Sequence, residues 1–155
     1  IMPNLTVTTK ESIVLQGRQQ GSSRTMTFAN IIDVFNRTYS FKQQTLTSLY
    51  TTHNDTVSGA VFDDGSIKYV RITNLSANPL AINIIGENNL SFAYEIQKSQ
   101  SLYLYNHSLV VEADDSDAIT ASELQSLEDI DEVKAYCHKG GGRVEVFIAS
   151  TEATK

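Results

Sequence analysis

The sequence predicts an all-β protein built as an antiparallel β-sandwich, either a jelly roll or an immunoglobulin-like meander. Apolar and polar residues alternate with a period of two along most of the chain, which is typical of strands buried on one face. Turn residues (Gly, Asn and Asp) separate these segments at short intervals. Only 19% of the 155 residues are charged, and Ser, Thr, Asn and Gln are abundant. Such an uncharged polar surface is common in β-rich proteins of assemblies.

The alternating segments predict eight short strands in the body of the sandwich. They lie at residues 45–52, 67–73, 80–85, 91–96, 101–105, 109–112, 133–138 and 143–149. Their apolar positions predict a core containing Val70, Ile72, Leu80, Ile82, Ile84, Phe92, Leu102, Leu104, Val144 and Val146. Short turns, such as residues 63–66 with Gly65, join consecutive strands, so we expect a largely antiparallel meander over residues 69–149.

Two segments depart from this alternation. Residues 113–132 form an acidic excursion, and within it residues 120–127 predict one short helical turn with Ser122 as the N-cap. Residues 29–37 predict a short helix or an irregular bridge, because Phe28, Ile31, Ile32 and Phe35 fit helical spacing. The following residues, 38–41, are strand-like.

The first 27 residues predict a separate N-terminal hairpin arm, and residues 28–155 a single sandwich domain. Strand-like segments at 5–9 and 12–15 precede a polar stretch, 16–24, whose two glycines fit an exposed tip. Strand edges offer unpaired amides to other chains, so such an arm suits exchange with a neighbour. An ordinary edge hairpin of the sandwich is the alternative. The candidate interface residues are Leu5, Val7, Ile13, Leu15, Arg18 and Arg24.

Charge and composition argue against several classes of partner and location. The chain has 12 basic and 18 acidic residues and a net charge of -6, which disfavours binding to nucleic acid or anionic membranes. No apolar run approaches the length of a membrane span, and no signal peptide is expected. Ile1 precedes the natural initiator Met2 and is not expected to be native. The single Cys137 cannot form an internal disulfide or a cysteine zinc site.

The sequence predicts no catalytic residue, no cofactor and no enzymatic activity. His53, His107 and His138 have no ligands at metal-binding spacing and are interpreted as surface or core residues. The nucleophile elbow Gly-x-Ser-x-Gly is absent from the sequence.

Two further features of the sequence are candidate binding sites. Asp114, Asp115 and Asp117 are weak candidates for Ca²⁺, although a solvated acidic loop is the preferred interpretation. The tyrosines could form a platform for a glycan, but packing in the core and at interfaces is favoured because Trp is absent. A glycan therefore remains a possible partner without direct support.

Several segments resemble the β-sandwich of small virion proteins of tailed bacteriophages. These segments are YVRITNL at 69–75, LAINI at 80–84, FAYEI at 92–96 and SQSLYL at 99–104, with similar stretches at 7–15, 129–135 and 146–151. The resemblance implies a structural protein present in many copies on the particle, with no reaction to assign. It implies a homo-oligomer whose partner is the major capsid protein or another virion protein.

We therefore expect a non-enzymatic virion structural protein, made in the host cytoplasm and located in the virion. A capsid decoration or cement role is favoured over a tail or fibre component, because the domain is short and carries no long coiled coil or repeated fibre motif. A carbohydrate-binding adhesin module is the other alternative.

Overall fold

The computed structural model describes residues 2–52, 62–63, 65–86, 90–110 and 119–153. The arm contains β1 (Leu5–Lys10), β2 (Ile13–Leu15), β3 (Arg18–Gln20) and β4 (Ser23–Phe28). The body contains β5 (Asp33–Phe41), β6 (Thr47–Thr51), β7 (Ile67–Asn74), β8 (Leu80–Ile85), β9 (Ser91–Ile96), β10 (Ser101–Leu104), β11 (Ser108–Leu109), β12 (Glu128–Asp129), β13 (Glu132–Tyr136) and β14 (Gly142–Ser150).

The body is an antiparallel β-sandwich, so the predicted fold class is confirmed. The first sheet has the strand order β10-β7-β14-β5, and the second has the order β6-β13-β8-β9. Their facing sides enclose one apolar core. The two-residue strands β11 and β12 pair with each other near one end of the body.

The strand order differs from the expected meander. Of the consecutive strands described in the two large sheets, only β8 and β9 pair with each other. The turn after β7 instead carries the chain from the first sheet to the second. The buried Asn74 side chain fixes this corner, since its Nδ2 donates to the carbonyls of Asn78 (2.9 Å) and Ile96 (3.0 Å), and its Oδ1 accepts from the Ser76 N–H (2.7 Å). A buried amide satisfied in this way stabilises the corner.

Nine of the ten predicted core residues lie in the core or pack against it, and Phe92 is wrong. Phe92 lies opposite Ile84, and the neighbouring Tyr94 lies opposite Ile82. Cross-strand partners share a face of the sheet, so both rings are on the core side. They are nevertheless 46% and 55% exposed, because β9 is an edge strand and the core reaches it only at its last residue, Ile96.

The predicted helix or bridge at residues 29–37 is wrong from Asp33 onward, where β5 begins and pairs along its whole length with β14. The helical spacing was misleading because its members pack on opposite sides of the first sheet. Phe35 lies in the core between the sheets, whereas Phe28 and Ile31 pack on the outer face. Asn30, which lies between Phe28 and Ile31, has a φ of 59°, in the left-handed region of the backbone.

One turn of 3₁₀ helix, Glu123–Gln125, occurs within the predicted helical segment. Ser122 precedes it but makes no side-chain capping hydrogen bond, so its predicted role is wrong. The Glu123 carboxylate instead accepts from the Thr120 N–H and hydroxyl, each at 2.7 Å. Within the described ranges, none of the helical segments is long and apolar enough to cross a membrane.

Candidate functional site

The arm is one continuous antiparallel ribbon. β1 pairs with β4, and β2 pairs with β3. Both pairs share one register, which runs from the pair Leu5–Phe28 to the pair Leu15–Arg18 without an inserted residue. Gln16 and Gly17 close the ribbon with φ values of 51° and 73°. Positive φ at both central residues is characteristic of a type I′ turn, whose twist matches that of the strands. The polar stretch predicted to form a tip therefore folds into a tight hairpin.

The ribbon is interrupted once, where Glu11 and Ser12 face Gly21 and Ser22. The Glu11 N–H still donates to the Ser22 carbonyl at 2.8 Å, so the register is kept. Gly21 has a φ of 100°, and a Cβ at this position would collide with the Glu11 carbonyl oxygen. Glycine is required here for both reasons.

The base of the arm packs on the outer face of the first sheet. Leu5, Val7, Phe28 and Phe147 surround the buried Ile31, Tyr69 and Ala149, and we call this set the outer cluster. The ring centroids of Phe28 and Tyr69 are 5.7 Å apart, and those of Tyr69 and Phe147 are 6.0 Å apart. The predicted interface residues Leu5 and Val7 are therefore half-buried against their own body.

The arm tip, which comprises β2, the turn and β3, is exposed throughout. Ile13, Val14 and Leu15 are 51%, 65% and 55% exposed, although all three are large and apolar. Of the other predicted interface residues, Arg18 in the tip and Arg24 in β4 are also exposed. An apolar run of this kind on a strand edge is characteristic of a surface that binds another chain.

A groove of about 530 Å³ lies between β1 and the outer face of the first sheet, and we call it the outer groove. Its floor includes Tyr69, Arg71, Tyr103 and Phe147. Arg71 lies over the Phe147 ring and pairs with Glu145 at 2.6 Å. Burial raises the pKa of Tyr69, and Tyr103 adds to this, whereas the charge of Arg71 acts in the opposite direction.

Tyr103 extends the aromatic floor beyond the outer cluster. Its ring stacks on that of Tyr105, with centroids 6.1 Å apart and planes within 5° of parallel. The two rings are 44% and 36% exposed. The arm base therefore covers the Tyr69 side of the outer face and leaves this aromatic pair open.

A polar relay lies at the end of the body near β11 and β12. The Tyr50 hydroxyl is 3.0 Å from His107 Nε2, and His107 Nδ1 is 2.7 Å from an oxygen of Asp129. The other Asp129 oxygen accepts from the Gly65 N–H at 3.0 Å. Because the ionised carboxylate can only accept, His107 Nδ1 donates to Asp129, and the hydrogen bond between Nε2 and the Tyr50 hydroxyl completes the relay.

The geometry of the relay fits a role in stabilising the fold better than a role in catalysis. Burial, with the nearby Asp129 charge, raises the pKa of Tyr50 far above its usual value, so its hydroxyl is not activated. Burial alone would raise the pKa of Asp129, but hydrogen bonds from His107, Gly65 and Ile130 outweigh it and lower that pKa. No local sequence signal indicates this arrangement, because Tyr50 and His107 are 57 positions apart in the chain and His107 and Asp129 are 22 positions apart.

The metal candidates Asp114, Asp115 and Asp117 lie outside the described residues. Among those that are described, no group of three or more His, Cys, Asp or Glu side chains is arranged to hold a metal ion. Of the histidines, His107 is buried in the relay, and His138 lies on the body surface beside a second groove with Pro79 and Tyr136.

The arm and the body carry opposite charge. In residues 1–28, Lys10, Arg18 and Arg24 outweigh the single acidic residue, Glu11. The rest of the chain holds 9 of the 12 basic and 17 of the 18 acidic residues. Net charge is therefore +2 for the arm and -8 for the rest, so the two regions have opposite sign.

Comparison of the chain with protein-family models, with curated proteins and with solved structures finds no match.

Proposed function

We propose that this chain is a non-enzymatic structural protein of a tailed-phage virion, which decorates the capsid surface and is attached to its neighbours by the N-terminal arm. The observation that carries the proposal is the arm tip, where three consecutive large apolar side chains are half or more exposed on a rigid, in-register ribbon. The resemblance of the sandwich segments to small phage virion proteins supplies the setting.

Two structural features of the arm support a role in attachment to neighbouring subunits. The outer cluster holds the base on its own body, while the type I′ turn matches the twist of the strands and favours the extended ribbon. A preorganised ribbon loses little conformational entropy on binding, and repeated weak contacts around a symmetric particle add up to stable association. The opposite charges of the arm and the body favour this role over binding to nucleic acid.

The test removes the tip and leaves the base in place. Deleting residues 13–20 and changing Ser12→Asn leaves an Asn-Gly pair at the two positions of a type I′ turn, so the shortened ribbon can still close. We expect mass spectrometry of virions from the phage that encodes the chain to detect the intact protein in many copies per particle. The shortened variant should fold but fail to bind particles that lack the protein.

Two results would contradict the proposal. One is the absence of the chain from purified virions. The other is particle binding by the shortened variant that equals that of the intact chain. The deletion also removes the positive charge of Arg18, so the substitution Lys98→Gln, on an exposed residue of the body, provides a control for the loss of one positive charge.

A carbohydrate-binding module is the second candidate, and the exposed stacked pair Tyr103 and Tyr105 beside the outer groove favours it. Exposed aromatic rings offer apolar faces on which sugar rings can stack. On this alternative, a glycan array should show a saccharide that binds the intact chain and not Tyr103→Ala. The absence of any saccharide ligand would remove the candidate.

A further inference from the structure

The arm tip exposes apolar side chains, and the outer face of the first sheet exposes aromatic ones, so each surface could cover the other. The apolar side chains of the tip are half or more exposed, and the outer groove beside β1 is open at Tyr103, which is 44% exposed. Among the described strands, β1 pairs only with β4 and β2 only with β3, so both long edges of the ribbon are open to another strand. The β1–β2 edge is the one that borders the outer groove. Unpaired main-chain groups on such an edge favour the addition of a strand.

From this geometry we infer that two copies of the chain pair through the β1–β2 edges of their arms, antiparallel and about a two-fold axis, so that each tip lies over the partner's outer groove. The inference rests on the proposed role of the arm in assembly and names its first partner as a second copy. A two-fold arrangement uses the same surface twice, which requires that surface to be self-complementary.

Antiparallel pairing places the tip of one arm beside the base of the other. β2 of one copy then lies next to β1 of its partner, directly above the floor that contains Tyr103 and Arg71. Cross-strand neighbours share a face, so the tip can extend the same layer that Leu5 and Val7 begin. Each copy would therefore cover the open half of the other's outer face.

Alternation identifies which tip residues make the contact. The register of the ribbon runs without an inserted residue, so Ile13 and Leu15 are on the same face of the arm as Leu5 and Val7. Val14 is on the opposite face. The inference therefore requires Ile13 and Leu15 to contact the partner's aromatic floor, and leaves Val14 in solvent.

Charge complementarity favours a second copy as the occupant. Arg18 lies directly opposite Leu15 at the tip and shares its face, so the arm brings a cation to the partner's body. That body has a net charge of -8, against +2 for the arm. Crossed arms thus set two arm-to-body attractions against the repulsion between the two acidic bodies. The charged residues that line the outer groove itself, Lys10 and Arg71, are basic, so this attraction acts over the body as a whole, and apolar contacts hold the tip at the groove.

The test compares variants on the two faces of the tip by sedimentation velocity, at concentrations up to roughly 100 µM, because weak symmetric contacts have micromolar dissociation constants. We expect the intact chain to form a dimer. The pair Ile13→Asp and Leu15→Asp should weaken it at least about tenfold, whereas Val14→Asp, which changes the more exposed residue, should leave it intact. Circular dichroism should show unchanged folding in all three.

The floor is tested in the same way. Tyr103→Ala should weaken the dimer, and Tyr94→Ala, which removes a tyrosine of similar exposure from the second sheet, should not. Mixing the double tip variant with Tyr103→Ala gives heterodimers that retain one intact tip and floor. Such a mixture should associate more tightly than either variant alone, a result that only a mutual exchange of tips explains.

Several outcomes overturn the inference. These are a monomeric intact chain, equal effects of the Val14 and Ile13/Leu15 variants, and no gain on mixing. A monomer whose saccharide binding is lost in Tyr103→Ala would make the groove a sugar site instead. The proposed function is judged separately, since a monomeric chain can still bind virions through its tip, and a dimeric chain can be absent from them.

Discussion

The body and the arm contain equally regular antiparallel pairing, but very different amounts of buried apolar surface. Eighteen described residues are buried in the core of the body, whereas three are buried in the outer cluster that holds the arm. Hydrogen bonds between strands contribute little net free energy because water competes for the same groups, so burial decides stability. We therefore expect the free energy of opening to fall steadily from the core, through the outer cluster, to the arm tip.

The largest expected effect is in the core. Ile82→Asp places a charge at a position with no exposed surface, between sheets that offer it no described partner. The cost should be about 5 kcal/mol or more, which is comparable to the entire stability of a domain. Circular dichroism and soluble yield should show an unfolded chain. A normal melting curve would mean that the core is elsewhere.

A smaller loss is expected at the relay. Asp129→Asn turns one carboxylate oxygen into a donor, so it removes an acceptor from the three N–H groups that point at the carboxylate, those of His107, Gly65 and Ile130, and should cost about 1–3 kcal/mol. Thermal unfolding at pH 7 measures this cost. Glu11→Gln, at an exposed position in the arm, provides a control for the loss of one negative charge.

The same variant has a defined pH dependence. The pKa of Asp129 is lowered from its ordinary 3.8, so its charge stabilises the fold above that pH, and the benefit is lost as the pH falls through the folded value. The difference in stability between the intact chain and Asp129→Asn should shrink below about pH 4. A difference that grows on acidification would reverse the assigned direction.

The next effect on stability is expected at the base of the arm. Phe28→Ala removes a half-buried ring from Tyr69 and should cost about 2 kcal/mol, since a fully buried Phe is worth more. The loss should be local. Hydrogen exchange should accelerate in β1 and β4, while β7 and β14 keep their protection. Equal acceleration in all four strands would show that the arm and the body unfold as one unit.

The smallest effect is expected at the tip. Gly17→Ala meets no steric contact, but it places a side chain on a backbone with a φ of 73°, which should cost about 1 kcal/mol. The amides of β2 and β3 should exchange faster, and the melting temperature of the body should not change. A lower melting temperature would show that the tip supports the sandwich.

Much of the body could be predicted from the sequence because strand alternation and turn residues are local signals. They identified the antiparallel sandwich, the positions of the main strands and nine core residues. They failed at Phe92, because alternation identifies the face of a residue and not whether the opposite sheet extends far enough to cover it. They also failed at residues 33–37, where helical spacing joined residues that pack on opposite sides of one sheet.

For the candidate site, the sequence by itself predicted a hairpin in the first 27 residues whose reversal lies within the polar, glycine-containing stretch 16–24, because turn chemistry depends on neighbouring residues only. The turn itself is confined to Gln16 and Gly17, and most of the remaining polar stretch forms strands. The tertiary structure decided the rest. It placed Leu5 and Val7 against Tyr69 and Phe147, left Ile13 and Leu15 exposed, and brought Tyr50, His107 and Asp129 together. These contacts join residues that are far apart in the chain. Their proximity in space depends on the order in which the strands cross between the two sheets, and local sequence patterns do not encode that order.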